Sequence, residues 1–300
     1  MPPPSLPLLD GVEHRTVAAR GIEMHVAEMG AGPPLVLLHG WPQHWFMWRR
    51  VMPDLAAHYR VIAPDLPGLG WSGVPTRGYE KETLAADVLG LLDALDLDRV
   101  RLAGHDWGGF VGFLLCLHHP ERFERYLALN ITHPWVRSDV RIWGPALPHL
   151  WYMALLASPV AGPAVLQRAP AFVRRLLRSG GGHGEDWSET ELDAFADVLR
   201  QPERARASQA YYRSFLLREF GPALRGRYRD ARLEVPTLLL FGEEDYAIPA
   251  ASLGEPPKQA DDMRIELVPG VGHFIAEQAP ELVLDRAIDF FSGESVAAGR

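Results

Sequence analysis

LAGHDWGGF, residues 102–110, is the stretch on which the reading of this chain turns. An apolar run enters Gly104-His105-Asp106-Trp107-Gly108, the outline of G-x-S-x-G, in which a strand turns sharply into a helix and lifts a nucleophile clear of the backbone. Such a turn needs small residues, because its backbone is strained and the following helix packs close. Gly104, Gly108 and Gly109 supply them. The middle position, a serine in the usual pattern, is Asp106. At a helix start, unpaired amides and the positive dipole end favour an anion, which keeps the carboxylate ionised and nucleophilic at neutral pH. The competing role for the residue is a plain helix N-cap.

Aspartate in this place restricts the chemistry. A serine attacking a saturated carbon would form an ether, which offers water no carbonyl. An aspartate attacking the same carbon forms an ester that an activated water can hydrolyse. Residue 106 therefore points to displacement at an sp³ carbon bearing a leaving group, and away from ordinary esters and peptides.

Strand and helix patterns alternate on both sides of this turn. RTVAARGIEMHVAEMG (15–30) reads as two short strands turning at Gly21, and PPLVLLHG (33–40) and RVIAPDLPG (60–68) as buried strands. HWFMWRRVMPDLAAHY (44–59) carries helical spacing, and YEKETLAADVLGLLDALDL (79–97) reads as an amphipathic helix with acidic residues in its first turn. ERYLALNI (124–131) is another buried strand. The alternation stops between about residues 133 and 225 and resumes with VPTLLLFGEED (235–245), MRIELVPGVGHF (263–274) and a closing helix at 280–291. The expected fold class is α/β: a mostly parallel sheet flanked by helices, formed by residues 1–132 and 226–300, with a helical cap at 133–225 inserted after the sixth strand.

Hydrolysing an aspartyl ester needs a general base. His273, in PGVGHFIAEQ between the last strand and the last helix, is placed for it. Such a histidine needs a carboxylate on its other ring nitrogen, and Glu243, Glu244 and Asp245 close the preceding strand; Asp245 is the best candidate. In LLHGWPQ, the amide of Trp41 could converge with that of Trp107 on the developing oxyanion, with Pro42 fixing the loop through a cis bond.

Composition agrees with a soluble catalyst. The 300 residues are 47% hydrophobic and 23% charged, and the net charge of −8 argues against a nucleic-acid partner. Cys116 is the only cysteine and falls in an apolar run, which suits a buried bystander. MPPPSLPLLD lacks the pattern of a secretory signal, and no run of about eighteen apolar residues suggests a membrane span, so a cytoplasmic location is expected.

HGWP, GHDWGG, GEEDYAIP and GVGHF, in this order, resemble the epoxide hydrolases of the α/β-hydrolase fold, from about Glu13 to Phe291. The order nucleophile, acid, histidine also matches that fold. The resemblance implies a nucleophilic Asp106, a His273–Asp245 pair and two cap tyrosines that grip the epoxide oxygen; a phenol of pKa about 10 can give the nascent alkoxide a hydrogen bond and then a proton. Tyr212 matches the second of these by preceding Arg213, with the adjacent Tyr211 as its rival, and Tyr152, upstream of Pro159, matches the first. His39 and Pro42 are expected to touch substrate. The implied reaction converts an apolar epoxide to a vicinal diol through a covalent aspartyl ester, with the small epoxide and water as partners, no cofactor and no metal. Self-association into a homo-oligomer is left open.

The alternatives are a haloalkane dehalogenase using the same aspartate, or a non-catalytic ligand-binding relative. Against the first, Trp41 stands where a halide-binding asparagine often follows His-Gly, and no arginine follows Asp106 as in fluoroacetate dehalogenases. Against the second stands the full set of nucleophile, base, acid and tyrosines. The G-x-G-x-x-G of Gly68–Gly73 precedes Val74-Pro75 rather than a helix, and reads as a loop. Asn130-Ile131-Thr132 fits a glycosylation pattern but lies at a buried strand end. Trp143, Trp151 and Trp187 are expected in the cap core, with one or two free to line an apolar pocket, and Gly180–Gly184 suggests a mobile segment.

Overall fold

The computed structural model describes residues 4–136, 139–180 and 187–293; most of the glycine-rich segment, 181–184, lies outside the described residues. The strands are β1 (Glu13–Ala19), β2 (Ile22–Met29), β3 (Pro34–Leu38), β4 (Arg60–Pro64), β5 (Val100–His105), β6 (Phe123–Leu129), β7 (Thr237–Gly242) and β8 (Met263–Val268). They form one sheet in the order β1-β2-β4-β3-β5-β6-β7-β8. β1 and β2 run antiparallel at one edge and β3 through β8 pair in parallel. This is the expected α/β architecture.

The strand patterns explain the layering. β7 is buried at all six residues, and β3 and β4 at four of five, as befits strands covered on both faces. Helices Lys81–Ala94, Asp106–His118 and Pro280–Ser292 supply much of the cover. The helical spacing of 44–59 does not become one helix. It splits into a 3₁₀ turn, Trp45–Trp48, and one α turn, Met52–Leu55, with Pro53 in the first turn of the second piece. Proline lacks the amide that would join the two turns.

Between β6 and β7 the described residues contain helices and no strand, so the helical insertion follows the sixth strand as read from sequence. Helices Trp151–Ala157, Ala161–Arg168 and Pro202–Ser214 pack together over the carboxyl ends of the strands. Among the described residues no single helix is long and apolar enough to cross a membrane. The register pairs Leu38 with Gly104, His105 with Leu129, Leu129 with Leu240, and Gly242 with Val268. The loops leaving β3, β5, β7 and β8 thus emerge side by side, at the edge where open α/β sheets bind ligands.

Candidate active site

Asp106 sits directly at the end of β5 with φ +51°, a left-handed conformation that is uncommon for a side-chain-bearing residue. The glycines around it are sterically required. A Cβ on Gly108 would lie 2.4 Å from the carbonyl oxygen of His39, and one on Gly104 2.6 Å from that of Gly108. The turn throws the Asp106 side chain, 15% exposed, above the sheet. The Trp41 amide donates to Asp106 Oδ1 at 2.9 Å, and the Trp107 amide donates to the same carboxylate. Burial would raise the pKa of Asp106. The His273 and His105 imidazoles and the Trp107 amide outweigh it and hold the group below the ordinary carboxylate range.

His273 Nε2 stands 3.6 Å from Asp106 Oδ2, and its Nδ1 donates to Asp245 Oδ2 at 2.8 Å. Nucleophile, base and orienting acid named from sequence are therefore brought together. Burial alone would depress His273; Asp245 and Asp106 reverse this and push it up to about 10. Asp245 is itself fixed on all sides: Oδ1 accepts the amides of Ala247 (2.8 Å) and Ile248 (3.0 Å), and Oδ2 accepts from Asn130 Nδ2 at 3.0 Å.

The loop from His39 to Gln43, expected to supply the oxyanion amide, is held from below. The Trp41–Pro42 bond is cis, as expected. His39 is fully buried; its Nδ1 donates to the Gly40 carbonyl at 3.0 Å and its Nε2 accepts the Leu66 amide at 2.9 Å. With both ring nitrogens used by backbone, His39 braces the loop and has no surface to offer a ligand, which corrects its expected role as a substrate contact. Pro42 is likewise buried.

The cap tyrosines close the roof. The Trp41 ring stacks on Tyr152 (6.4 Å between centroids, 12°) and meets Tyr212 edge-on at 5.1 Å. Tyr152 and Tyr212 lie 6.0 Å apart, and Tyr212 is 6.0 Å from Trp107. Tyr211 points the other way, donating its hydroxyl to the Pro67 carbonyl at 2.9 Å. Burial raises both Tyr152 and Tyr212 well above the usual phenol value, which keeps them protonated.

Several supporting residues were not singled out by sequence. Asn130, considered only for glycosylation, is fully buried and ties Asp245 to β7, accepting the Gly242 amide at 3.2 Å. His105 Nε2 donates to the His273 carbonyl at 2.7 Å, and burial lowers His105 to about 4, so it is neutral. Lys81 places its ammonium 3.9 Å from the Trp107 ring while pairing with Glu219 at 3.0 Å. Gln43, Arg49 and Glu277 join the oxyanion and histidine loops through Glu277 Oε1. Only the spacing of Asn130 at a strand end offered a sequence signal.

A cavity of about 670 Å³ opens beside the site, bounded by His149, Trp151, Phe172, Leu176 and Tyr246 among others. Trp151, expected in the cap core, is 58% exposed and lines it instead; Trp187 is buried. Among the described residues no cluster of three or more His, Cys, Asp or Glu side chains could hold a metal. The Gly68–Gly73 loop opens no helix and folds round Asp65, which accepts the Trp71 amide at 2.9 Å.

A model of the α/β-hydrolase fold matches residues 33–280. The soluble epoxide hydrolase of Corynebacterium sp. (strain C12) is 29% identical over 287 residues, spanning 94% of this chain and 98% of that protein. Epoxide hydrolase 3 of Xenopus tropicalis is 30% identical over 283 residues, 90% of this chain and 75% of that protein. The solved structure of the epoxide hydrolase CorEH without ligand superposes with a TM-score of 0.81 at 28% identity, covering 94% of this chain and 99% of that one.

Proposed function

The chain belongs to the α/β-hydrolase fold family and to its epoxide hydrolases, and from that premise we propose that it converts an apolar epoxide to a vicinal diol through an ester on Asp106. The observation that carries this is one carboxylate facing two amides, an imidazole and a pair of phenols at once.

The two oxygens of Asp106 have different surroundings. Oδ1 is held by the Trp41 amide, while Oδ2 faces His273. Oδ2 attacks one carbon of the oxirane, and the C–O bond breaks as the ester forms. In this reading Tyr152 and Tyr212 receive the leaving oxygen, one giving its proton to the alkoxide. Phenols held protonated by burial suit that task. An alkoxide, unlike a halide, needs that proton, so the phenol pair favours an epoxide over a haloalkane.

Ester formation neutralises Asp106. It removes one of the two carboxylates that hold the proton on His273, so the imidazolium gives that proton up to solvent and becomes a base. His273, oriented by Asp245, then takes a proton from water, whose oxygen adds to the ester carbonyl carbon. Negative charge grows on Oδ1, where the Trp41 amide already donates, with the Trp107 amide beside the same carboxylate. Collapse, with the imidazolium giving its proton to the departing ester oxygen, releases the diol and leaves the water oxygen in the carboxylate.

A single turnover in ¹⁸O-labelled water with excess enzyme tests the scheme. The first diol should be unlabelled and the label should appear in Asp106. Full label in the first diol means that water attacked the epoxide directly.

A further inference from the structure

Resting on that reading, we propose that Tyr246 is the residue that returns a proton to Tyr152 after ring opening, so that the acid side of the site is recharged from the cavity and not through His273.

The geometry places Tyr246 between the reacting phenols and solvent. It follows Asp245 directly, so the loop that orients the base also fixes this third phenol. Its ring lies 6.5 Å from that of Tyr152, and the two hydroxyls interact. On its other side it borders the 670 Å³ cavity, where the ring of the exposed His149 stands 6.4 Å away. Tyr152 and Tyr212 are both almost wholly buried, at 6% and 2% exposed, and Tyr246 is only partly so. Trp41 stacks on Tyr152 and Tyr212 meets it edge-on, so both rings pack against that phenol.

The proton count closes. The alkoxide takes the O–H proton of Tyr152, Tyr246 passes its own proton to the Tyr152 phenolate, and Tyr246 takes one from water in the cavity. The proton that water loses is matched by the one set free when hydrolysis restores the Asp106 carboxylate. No co-reactant beyond the hydrolytic water is required. Tyr246 touches a reacting group only through Tyr152, and its role is to reset it.

Tyr246→Phe, assayed with styrene oxide, separates this role from packing. Single-turnover alkylation, read by quenching of the tryptophans that flank Asp106, should stay within about 3-fold of wild type, because Tyr152 begins each cycle protonated. Steady-state kcat should fall by at least about 10-fold, the scale of an assisted proton transfer, and ultraviolet absorbance of a tyrosinate should accumulate during turnover. In a Tyr152→Phe background the same substitution should lose that effect on kcat. Unchanged kcat, or alkylation slowed by the same factor as kcat without tyrosinate, overturns the proposal. A wild-type protein that opens no epoxide defeats the underlying reading instead, so the two failures are distinct.

Discussion

A Cβ on Gly40 would lie 2.3 Å from Asp106 Oδ1, so the carboxylate rests against bare backbone beside the Trp41 amide that holds it. Alanine there must push the carboxylate away from the Trp41 amide. Gly40→Ala is expected to lower kcat/KM about 100-fold, the scale of a displacement near 1 Å at a reacting group, with an unchanged far-ultraviolet spectrum. Activity within a few-fold of wild type would show that Asp106 does not react from this position.

His273→Gln keeps a side chain of similar reach but removes the base. Alkylation should proceed and hydrolysis should stall. Intact mass after exposure to styrene oxide should rise by the mass of one epoxide, and Asp106→Asn should abolish the increase. Continued multiple turnover by His273→Gln would remove the imidazole from the second step.

The neighbouring tyrosines make a controlled pair. Tyr212→Phe removes a phenol that faces Trp41 and Trp107, and should slow alkylation by about 100-fold, the scale of losing one donor to a developing oxyanion. Tyr211→Phe removes a hydroxyl bound to the Pro67 carbonyl; it should cost about 1 kcal/mol of stability and leave the rate nearly intact. Comparing burst rates with denaturation midpoints for both variants checks the split, and a reversal would exchange their roles.

The machinery that sequence made legible is local. Gly104 to Gly109 encode a tight turn within six residues, HGWP follows a buried strand and the histidine loop follows the edge strand β8, so their positions come from short-range pattern alone. Partners that meet through sheet register or cap docking were not legible: Asn130 reaches Asp245 across 115 positions, and Lys81 reaches Glu219 across 138. The Tyr211/Tyr212 ambiguity had the same origin, since helical spacing gives their relative direction but not which side meets the core. His39 misled because its place beside the oxyanion loop is visible in sequence, whereas the Leu66 amide that occupies its ring is not.

Stability should carry the signature of His273. An unfolded histidine titrates at about 6.5, while in the folded site Asp245 and Asp106 overcome burial and hold the imidazole up to about 10. The folded state therefore binds this proton more tightly. The stabilisation is fully present below about pH 6.5 and disappears as pH rises through about 10. Tm of the wild type should decline across that window, and the decline should be smaller in His273→Gln. Parallel curves would mean that the imidazole is not held protonated between the two carboxylates.

Asn130 tests whether the orienting acid needs its own support. The residue has φ +39°, accepts the Gly242 amide at 3.2 Å and donates to Asp245 Oδ2, the same oxygen that receives His273 Nδ1. Asn130→Gly keeps the left-handed backbone accessible and removes both hydrogen bonds, for a loss of roughly 2 kcal/mol at about 1 kcal/mol each. Asn130→Ala loses the same bonds and, unlike glycine, keeps a Cβ in the left-handed region, now without the asparagine side chain that tolerates it, for about 1 kcal/mol more than the glycine variant. Both should slow ester hydrolysis by at least about 10-fold while sparing alkylation, because a swivelling Asp245 misaligns the base but not the nucleophile. Chemical denaturation ranks the stabilities and single-turnover kinetics separates the steps. Equal stability of the glycine and alanine variants would dismiss the backbone argument, and slowed alkylation would mean that Asn130 supports Asp106 rather than the histidine pair.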